Sequence, residues 1–417
     1  MYKFNDRILL LFICSLPLCL IIGPFCSDLT ITIGSLIFLI GLTKHKIKFY
    51  FLNKYSLFFF IWFFYLLFSS LISDNVFLSL ESTLFYFRFW IYSLALCYLL
   101  INYKITVYYL FFFLSVALLI VSIDAYCQLF FGNIILGYNY DFNHNQSRLS
   151  GIFGEENILG SYLSRILPLF FILFIQLNFK KYLNFYFITS FFLINFILIL
   201  FSGERTSIFY FFIFILFFIF DLKYFFKKMN QLWIFLISFI VLLILLLYNS
   251  ENLKNRILEY TFYQFSEGST INIFSIQHQV IYKTGIKIFL DNKYVGIGPK
   301  LFREKCKNYK TYSKYDNSID GCQTHPHNSY LQILLETGIF GFLFIIIIFI
   351  YMCIQLFKFV FLINFSPDNF SFKYTLVMIF ITLFPLVPTG NFFSNWISAI
   401  YYLPIGIFLY YKLEKDF

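Results

Sequence analysis

The stretch SYLQILLETGIFGFLFIIIIFIYMCIQLF, Ser329 to Phe357, runs for 29 residues with a single charged side chain, Glu336. A helix needs about 20 apolar residues to cross the hydrocarbon core of a bilayer, so this run reads as a transmembrane helix. Runs of the same kind recur on both sides of it. They suggest about twelve spans, beginning near Ile8, Leu29, Ser56, Ser82, Ile105, Ile158, Tyr182, Ser207, Gln231, Ser329, Phe372 and Asn395. The expected fold is an all-α polytopic membrane protein. No repeat at solenoid spacing is visible, and no soluble domain is expected at either end.

Composition excludes a water-soluble fold. The 417 residues are 60% hydrophobic and 12% charged, with a mean hydropathy of +0.78, and an ordinary soluble domain carries about twice that charge fraction. Aromatic residues make up 24% of the chain. The frequent Phe, Ile, Tyr, Asn and Lys all have AT-rich codons, so no Phe stripe is taken as a ligand cage. The first apolar run, Ile8 to Phe25, contains Pro17 and Cys19 and lacks a small-residue cleavage site, which makes it a retained span rather than a signal peptide.

The net charge of +10 would suggest nucleic acid in a soluble protein. Here the basic residues fall between apolar runs, so they read as topology, and no nucleic-acid partner is expected. With twelve spans, about sixteen of them lie on one side: Lys3 and Arg7; Lys44, Lys46, Lys48 and Lys54; Lys104; Lys180 and Lys181; Lys223, Lys227 and Lys228; Lys358 and Lys373; Lys412 and Lys415. The opposite short connections hold little beyond Arg148 and Arg205. By the positive-inside rule both termini are cytoplasmic. The chain then divides into spans 1–9 (residues 1–248), a large outer loop with short helices (249–328) and spans 10–12 (329–417).

That loop, about 80 residues long, holds three of the five histidines. A connection of this length is functional or disordered. The run IYKTGIKIFL, Ile281 to Leu290, and the turn GIGPK, Gly296 to Lys300, argue for a folded cap. Of the eight cysteines, Cys306 and Cys322 lie well inside this polar region. A disulfide across their 15-residue interval, in an oxidising compartment, would contribute about 3 kcal/mol. The alternative is two unpaired thiols, and without a C-x-x-C spacing a redox-catalytic role is disfavoured.

Three short stretches on the outer side can carry chemistry. In FSGERTS, Phe201 to Ser207, Arg205 stands near the hydrocarbon boundary and calls for an anionic partner, either Glu204 or another carboxylate, or a phosphate held by its guanidinium fork. In HPHNSYLQILLETGIFG, His325 to Gly341, Asn328 or Ser329 can cap the helix. His325 and His327 then precede its positive end, which disfavours imidazolium and leaves rings suited to a general base. The other readings are exposed loop histidines or half of a metal site, but H-x-H offers only two ligands and no accompanying set, so no metal is assigned. In SRLSGIFGEENILGSYLSR, Ser147 to Arg165, Arg148 and the glycines can form a phosphate corner. Glu155 and Glu156 either pair with arginines and orient an acceptor or open a helix capped by Asn157. Arg88 and Arg165, inside apolar runs, call for interior partners. No nucleotide-binding glycine loop is present. Arginines for phosphate, together with histidines for a proton, suit glycosyl transfer from a lipid-linked sugar diphosphate without a cofactor.

These residues resemble the O-antigen ligase and polymerase superfamily of bacterial envelope proteins. The resemblance rests on SGERTS around Arg205, on R-x-S-G-x-F and N-x-L-G from Arg148 to Gly160, and on H-N-x-Y-L-Q…E-x-G-x-x-G from His327 to Gly341. GIKIFLDNKYVGIGPKLF and the many-span layout add to it. It covers Arg148 to Gly341 by motif and the remainder by hydropathy. It implies an inner-membrane enzyme with its large loop in the periplasm, and an undecaprenyl-diphosphate-linked glycan as donor. The acceptor would be lipid A-core for a ligase or a growing glycan for a polymerase, and the transfer would be inverting and metal-independent. Arg205 matches a pyrophosphate-binding arginine and His327 the proposed base. A second, loop arginine is replaced by His278, so either His278 substitutes, or Arg303 or Arg256 reaches in, or the chain handles its donor differently. The ligase reading is favoured over the polymerase. A transporter, which would show two related halves with broken spans and midplane charges, is disfavoured.

Overall fold

The computed structural model describes residues 4–132, 148–177, 185–221, 229–259, 262, 274–313, 319–361 and 366–414. Of the basic residues assigned to connections, Lys3, Lys180, Lys181, Lys223, Lys227, Lys228 and Lys415 lie outside this set, as does Ser147. The described residues are helical, with one isolated antiparallel bridge between Tyr312 and Asp320. In chain order the helices are α1 Phe4–Cys14, α2 Leu16–Ile22, α3 Pro24–Ile40, α4 Lys44–Phe51, α5 Lys54–Leu71, α6 Val76–Thr83, α7 Phe87–Asn102, α8 Ile105–Phe131 and α9 Leu159–Gln176. They continue with α10 Phe185–Phe201, α11 Arg205–Ile219, α12 Met229–Asn249, α13 Glu251–Lys254, α14 Ile276–Asp291, α15 Phe302–Lys305, α16 Ser329–Phe361, α17 Pro367–Thr382 and α18 Asn395–Leu413.

Among the described residues, six helical segments are long and apolar enough to cross a membrane: α5, α6 with α7, α8, α9, α12 and α16. The first apolar run is a pair, α1 and α2, bent by 51°, and counts as a seventh if taken as one span. Pro17 stands in the first turn of α2, where its missing N–H ends the hydrogen-bond ladder from α1. A second break at Gly23 (φ 143°) precedes α3, which holds Cys26 in its first turn. The remaining hydropathy windows fall on the shorter or less apolar helices α3, α10, α11, α17 and α18. Helices of 15 to 17 residues such as α3, α10 and α11 extend about 22 to 26 Å, short of the roughly 30 Å hydrocarbon core. Helix α12 leaves Trp233, Ile237, Ile240, Ile244 and Leu245 exposed, the apolar surface of a helix that faces lipid.

Contacts group the chain into two compact units interleaved along the sequence. The first comprises Met1–Tyr103, Asn272–Ile354 and Thr382–Phe417. Helix α7 is its centre, buried without interruption from Phe89 to Leu100, as expected of a helix apolar on every face. Trp90 stacks on Phe59 with centroids 4.7 Å apart. At the crossing with α18, a side chain on Gly406 would press on Leu96 and the Ser93 carbonyl, so the small residue permits the close approach. Polar groups here are spent internally: Tyr92 Oη donates to Ile13 O at 2.9 Å and Ser93 Oγ to Tyr402 O at 2.6 Å. Arg88 pairs with Asp28 at 2.5 Å and donates to Asn395 Oδ1 at 3.1 Å.

The second unit comprises Lys104–Ile271 and Gln355–Ile381. Its centre is α9, buried from Leu159 to Ile175 except at Ser161, which is half-buried. The abundant phenylalanines form its core, with Phe171 stacked on Phe192 at 5.0 Å and Phe196 on Phe211 at 5.4 Å. Lys373, assigned to a connection from the sequence, is instead buried in α17. There it meets Asp221 Oδ2 at 2.9 Å, and the same oxygen accepts from Tyr374 Oη at 2.9 Å. Removing one partner of a buried pair strands the other charge at about 3 to 5 kcal/mol, more than the pair itself contributes. Lys373→Met should therefore lower the melting temperature of the detergent-solubilised protein markedly, and Lys373→Met with Asp221→Asn should recover part of the loss. Parental melting of the single variant would show that the pair carries no such constraint.

Candidate functional site

Two clusters hold the chemistry-bearing residues, one in each unit. In the first unit the controlling feature is a break in α16 at Gly338 (φ 66°, ψ −171°), where the sequence suggested an uninterrupted span. The break frees carbonyls that a continuing helix would satisfy. Ile297 N donates to Leu335 O at 3.1 Å, Gly298 N to Glu336 O at 2.8 Å, and Ile339 N donates to Lys293 O at 2.8 Å. Any side chain on Gly338 would collide with the Tyr294 carbonyl. Gln332 donates to Glu336 Oε2 at 3.1 Å and Asn391 Oδ1 at 2.8 Å and accepts from Phe392 N at 2.9 Å. The Q…E-x-G part of the motif thus docks the loop turn and the 389–393 segment on the start of α16.

The loop packs its Ile281, Ile288, Ile297, Leu301 and Phe302 into one core with Leu335 of α16. Cys306, buried in it, is joined to Cys322 with Cα atoms 5.0 Å apart. This ties the end of α15 to the segment entering His325. Lys300 pairs with Glu81 at 2.7 Å and Lys305 with Asp74, anchoring the loop to α6 and the turn before it.

On this support three imidazoles converge. The ring centroids of His325 and His327 lie 4.1 Å apart, and those of His327 and His278 5.7 Å. His327 takes a left-handed backbone conformation (φ 53°) just ahead of α16. Its carbonyl accepts from Thr389 N at 2.9 Å and Tyr282 Oη at 3.4 Å. Asn328 is the helix cap: its Oδ1 accepts from Leu331 N at 2.9 Å, and its Nδ2 donates to Pro385 O at 2.8 Å. Ser275 Oγ lies 2.7 Å from His278 Nδ1, and Thr324 Oγ1 lies 3.0 Å from His325 Nδ1. Burial holds His327 below the usual imidazole range. It pushes His325 down to about 3, with the charges of His327 and Arg303 adding to the effect. Arg303, half-buried on α15, is thus an electrostatic neighbour of the histidines.

In the second unit the corner Ser202–Gly203–Glu204 gathers arginines. Arg205, exposed, opens α11, and Arg148 is its electrostatic neighbour. Arg256, in a π-helical turn (Asn255–Glu259), donates from Nε to Gly203 O at 3.1 Å. Arg165 lies 4.7 Å over the Tyr210 ring and donates to Ser161 O at 3.2 Å. Glu204 turns its carboxylate to Ser161 N and Ser207 Oγ, each 3.1 Å away, within reach of the charges of Arg165 and Arg148. Burial pushes it above the usual carboxylate range. The turn after Arg148 is held by Gln128, whose Oε1 accepts from Ser150 N at 3.1 Å and Gly151 N at 2.7 Å.

The structure therefore groups His278, His325, His327, Asn328 and Arg303 together, and separately Arg148 and Arg205. Glu155 and Glu156 are exposed in a 3-10 turn, Gly151–Glu156, and make no ion pair among the described residues. Asn157 closes that turn in the left-handed region (φ 47°), so it is not the cap of α9, and the acids do not open that helix. The sequence reading missed Gln128, Gln332 and Thr389 as supports. A lone Gln inside an apolar run was the available signal for the first two.

His325 and His327 are neutral in the fold near pH 7, while in the unfolded chain imidazole protonates near pH 6.5. Below that pH the unfolded state takes up protons that the folded state refuses, so this stability is fully present above about pH 6.5 and is lost as pH falls toward 3. Melting temperature should decline across that window, and less steeply in His325→Gln. Equal slopes in the two proteins would mean that His325 is not held neutral by burial.

No curated protein matches the chain in sequence. The family model described as O-antigen ligase matches residues 190–346, a stretch that includes Arg205, Arg256, Arg303 and the three clustered histidines. Over that segment the chain is similar to the O-antigen ligase family.

Proposed function

We propose that the protein is a ligase-type glycosyltransferase that moves a glycan from an undecaprenyl-diphosphate carrier to a lipid A-core acceptor on the periplasmic face of the inner membrane. In this reading the five shorter or less apolar helices α3, α10, α11, α17 and α18 complete twelve spans, both termini are cytoplasmic and the long loop is periplasmic. The observation that supports it best is a half-buried, neutral His327 beside a capped helix start, in the same chain as a corner of four arginines.

In the reaction, a ring nitrogen of His327 takes the proton of the acceptor hydroxyl. The acceptor oxygen then bonds to the anomeric carbon as the bond from that carbon to the phosphate oxygen breaks. The electron pair leaves on undecaprenyl diphosphate, whose charge Arg205 meets with its planar fork, supported by Arg148 and Arg256. His278 and Arg303 flank the base, and Asn328 fixes the backbone that carries it. Leaving-group charge is neutralised by guanidinium, so no metal ion is required.

Arg205→Ala and His327→Ala, expressed at the parental level in a deletion strain, should each lower glycan transfer by about 10²-fold or more. Activity should persist in EDTA. Full transfer by either variant would overturn its assigned role, and loss in EDTA restored by a divalent ion would favour a metal at the histidines. The glycans of the deletion strain separate the acceptors. Long chains accumulating on the carrier mean a ligase, lipid A-core bearing one repeat unit means a polymerase, and unchanged glycans exclude both.

A further inference from the structure

We infer that Glu204 is a positioning residue of the donor site, its carboxylate joining the first turns of α9 and α11 so that Arg205 is presented from a fixed backbone. The inference rests on the reading of Arg205 as a pyrophosphate ligand. The first turn of a helix has N–H groups with no partner inside the helix and a positive dipole end, and both favour a carboxylate. Glu204 serves two such turns at once: Oε1 accepts from Ser161 N and Oε2 from Ser207 Oγ, both at 3.1 Å. Arg205 follows directly in the chain, so the residue before it is tied at two points.

The surrounding motif residues fit this arrangement. A methyl group on Gly160 would stand 3.1 Å from Glu204 Oε1 and 3.0 Å from Ser207 Cβ, and would collide with Ser202 Oγ. Only glycine lets the start of α9 approach the corner this closely. Gly203 (φ 63°) supplies the reversal that turns Glu204 inward, and its carbonyl is held by Arg256. The N-x-L-G and S-G-E-R-T-S stretches are thus two halves of one lock. Gly160 leaves the space, Glu204 fills it, and Arg205 is left on the exposed side.

The test uses the full-length chain in membranes of a deletion strain, with initial rates measured against the lipid-linked donor and melting followed in detergent. Glu204→Ala should raise the donor KM about tenfold or more, and raise it more than it lowers kcat. Glu204→Gln keeps an acceptor for Ser161 N and gains a donor for Ser207 Oγ, so it should recover most of that loss. Ser207→Ala removes one anchor only, and should give an intermediate KM at parental melting temperature, which keeps the test decisive if Glu204→Ala misfolds. Parental KM in both Glu204→Ala and Ser207→Ala, with Arg205→Ala inactive, overturns the positioning role while leaving the donor site intact. A Glu204→Gln variant as poor as Glu204→Ala overturns the two-point anchor. Full activity of Arg205→Ala removes the donor-site reading and this inference with it.

Discussion

Where helices face hydrocarbon, a break frees N–H and C=O groups that no water is present to satisfy, so another part of the protein must meet them. Three corners of this chain obey that constraint with side chains or turns from distant sequence. The carbonyls left open at the Gly338 break accept from Ile297 N and Gly298 N. The free N–H of Ser161, at the start of α9, is taken by Glu204, and the turn at Ser150 and Gly151 is taken by Gln128. Each solution brings a remote segment into fixed register with a helix end. Those segments carry the loop histidines in one unit and Arg148 and Arg205 in the other. The polar chemistry thus gathers at helix breaks because that is where an apolar chain has hydrogen-bonding groups to spare.

The same constraint sorts the charges. Arg88 and Arg165 lie inside helices that are otherwise apolar, and both are neutralised or hydrogen-bonded within their own unit, by Asp28 and by Ser161 with Tyr210. Lys373 and Asp221 form a buried pair where the sequence offered only a basic connection. These residues carry charge without offering it to a ligand. Arg205 is exposed at the start of α11, and the carboxylate next to it in sequence is engaged by Ser161 and Ser207. The sequence made Glu204 the nearest candidate partner for Arg205, and the geometry directs that carboxylate elsewhere.

Helix content was legible because apolar run length acts locally. The end of α14 near Leu290 was legible for the same reason, and the cap of α16 was narrowed to Asn328 or Ser329, but the start of α14 lies five residues ahead of the Ile281 read from the sequence. Breaks were harder to see. Gly338 sits in an apolar run that reads as continuous, and only the partners contributed by residues 293–298 make its left-handed conformation worthwhile. Asn157 looked like a helix cap by composition, yet it closes the preceding turn, since Asn tolerates the left-handed region almost as readily as it caps. The convergence of His278 with His325 and His327 depends on α14 packing against the start of α16, a tertiary fact with no local pattern.

That convergence also divides roles between the histidines. The sequence argument for neutral rings invoked the helix dipole, which is worth about 0.3 to 1 kcal/mol at an exposed helix end. Burial is instead the leading cause at both positions. Neutrality is necessary for a general base but not sufficient, because catalytic efficiency falls as the base's pKa drops below the working pH. His325, pushed down to about 3, would receive a proton at a cost of roughly 1.4 kcal/mol for each unit below neutral. It is a poor proton acceptor for that reason. Its place 4.1 Å from His327 suits it to act as an uncharged neighbour that does not repel the charge His327 gains. In the proposed transfer the proton therefore belongs on His327, and His325 serves by staying neutral beside it.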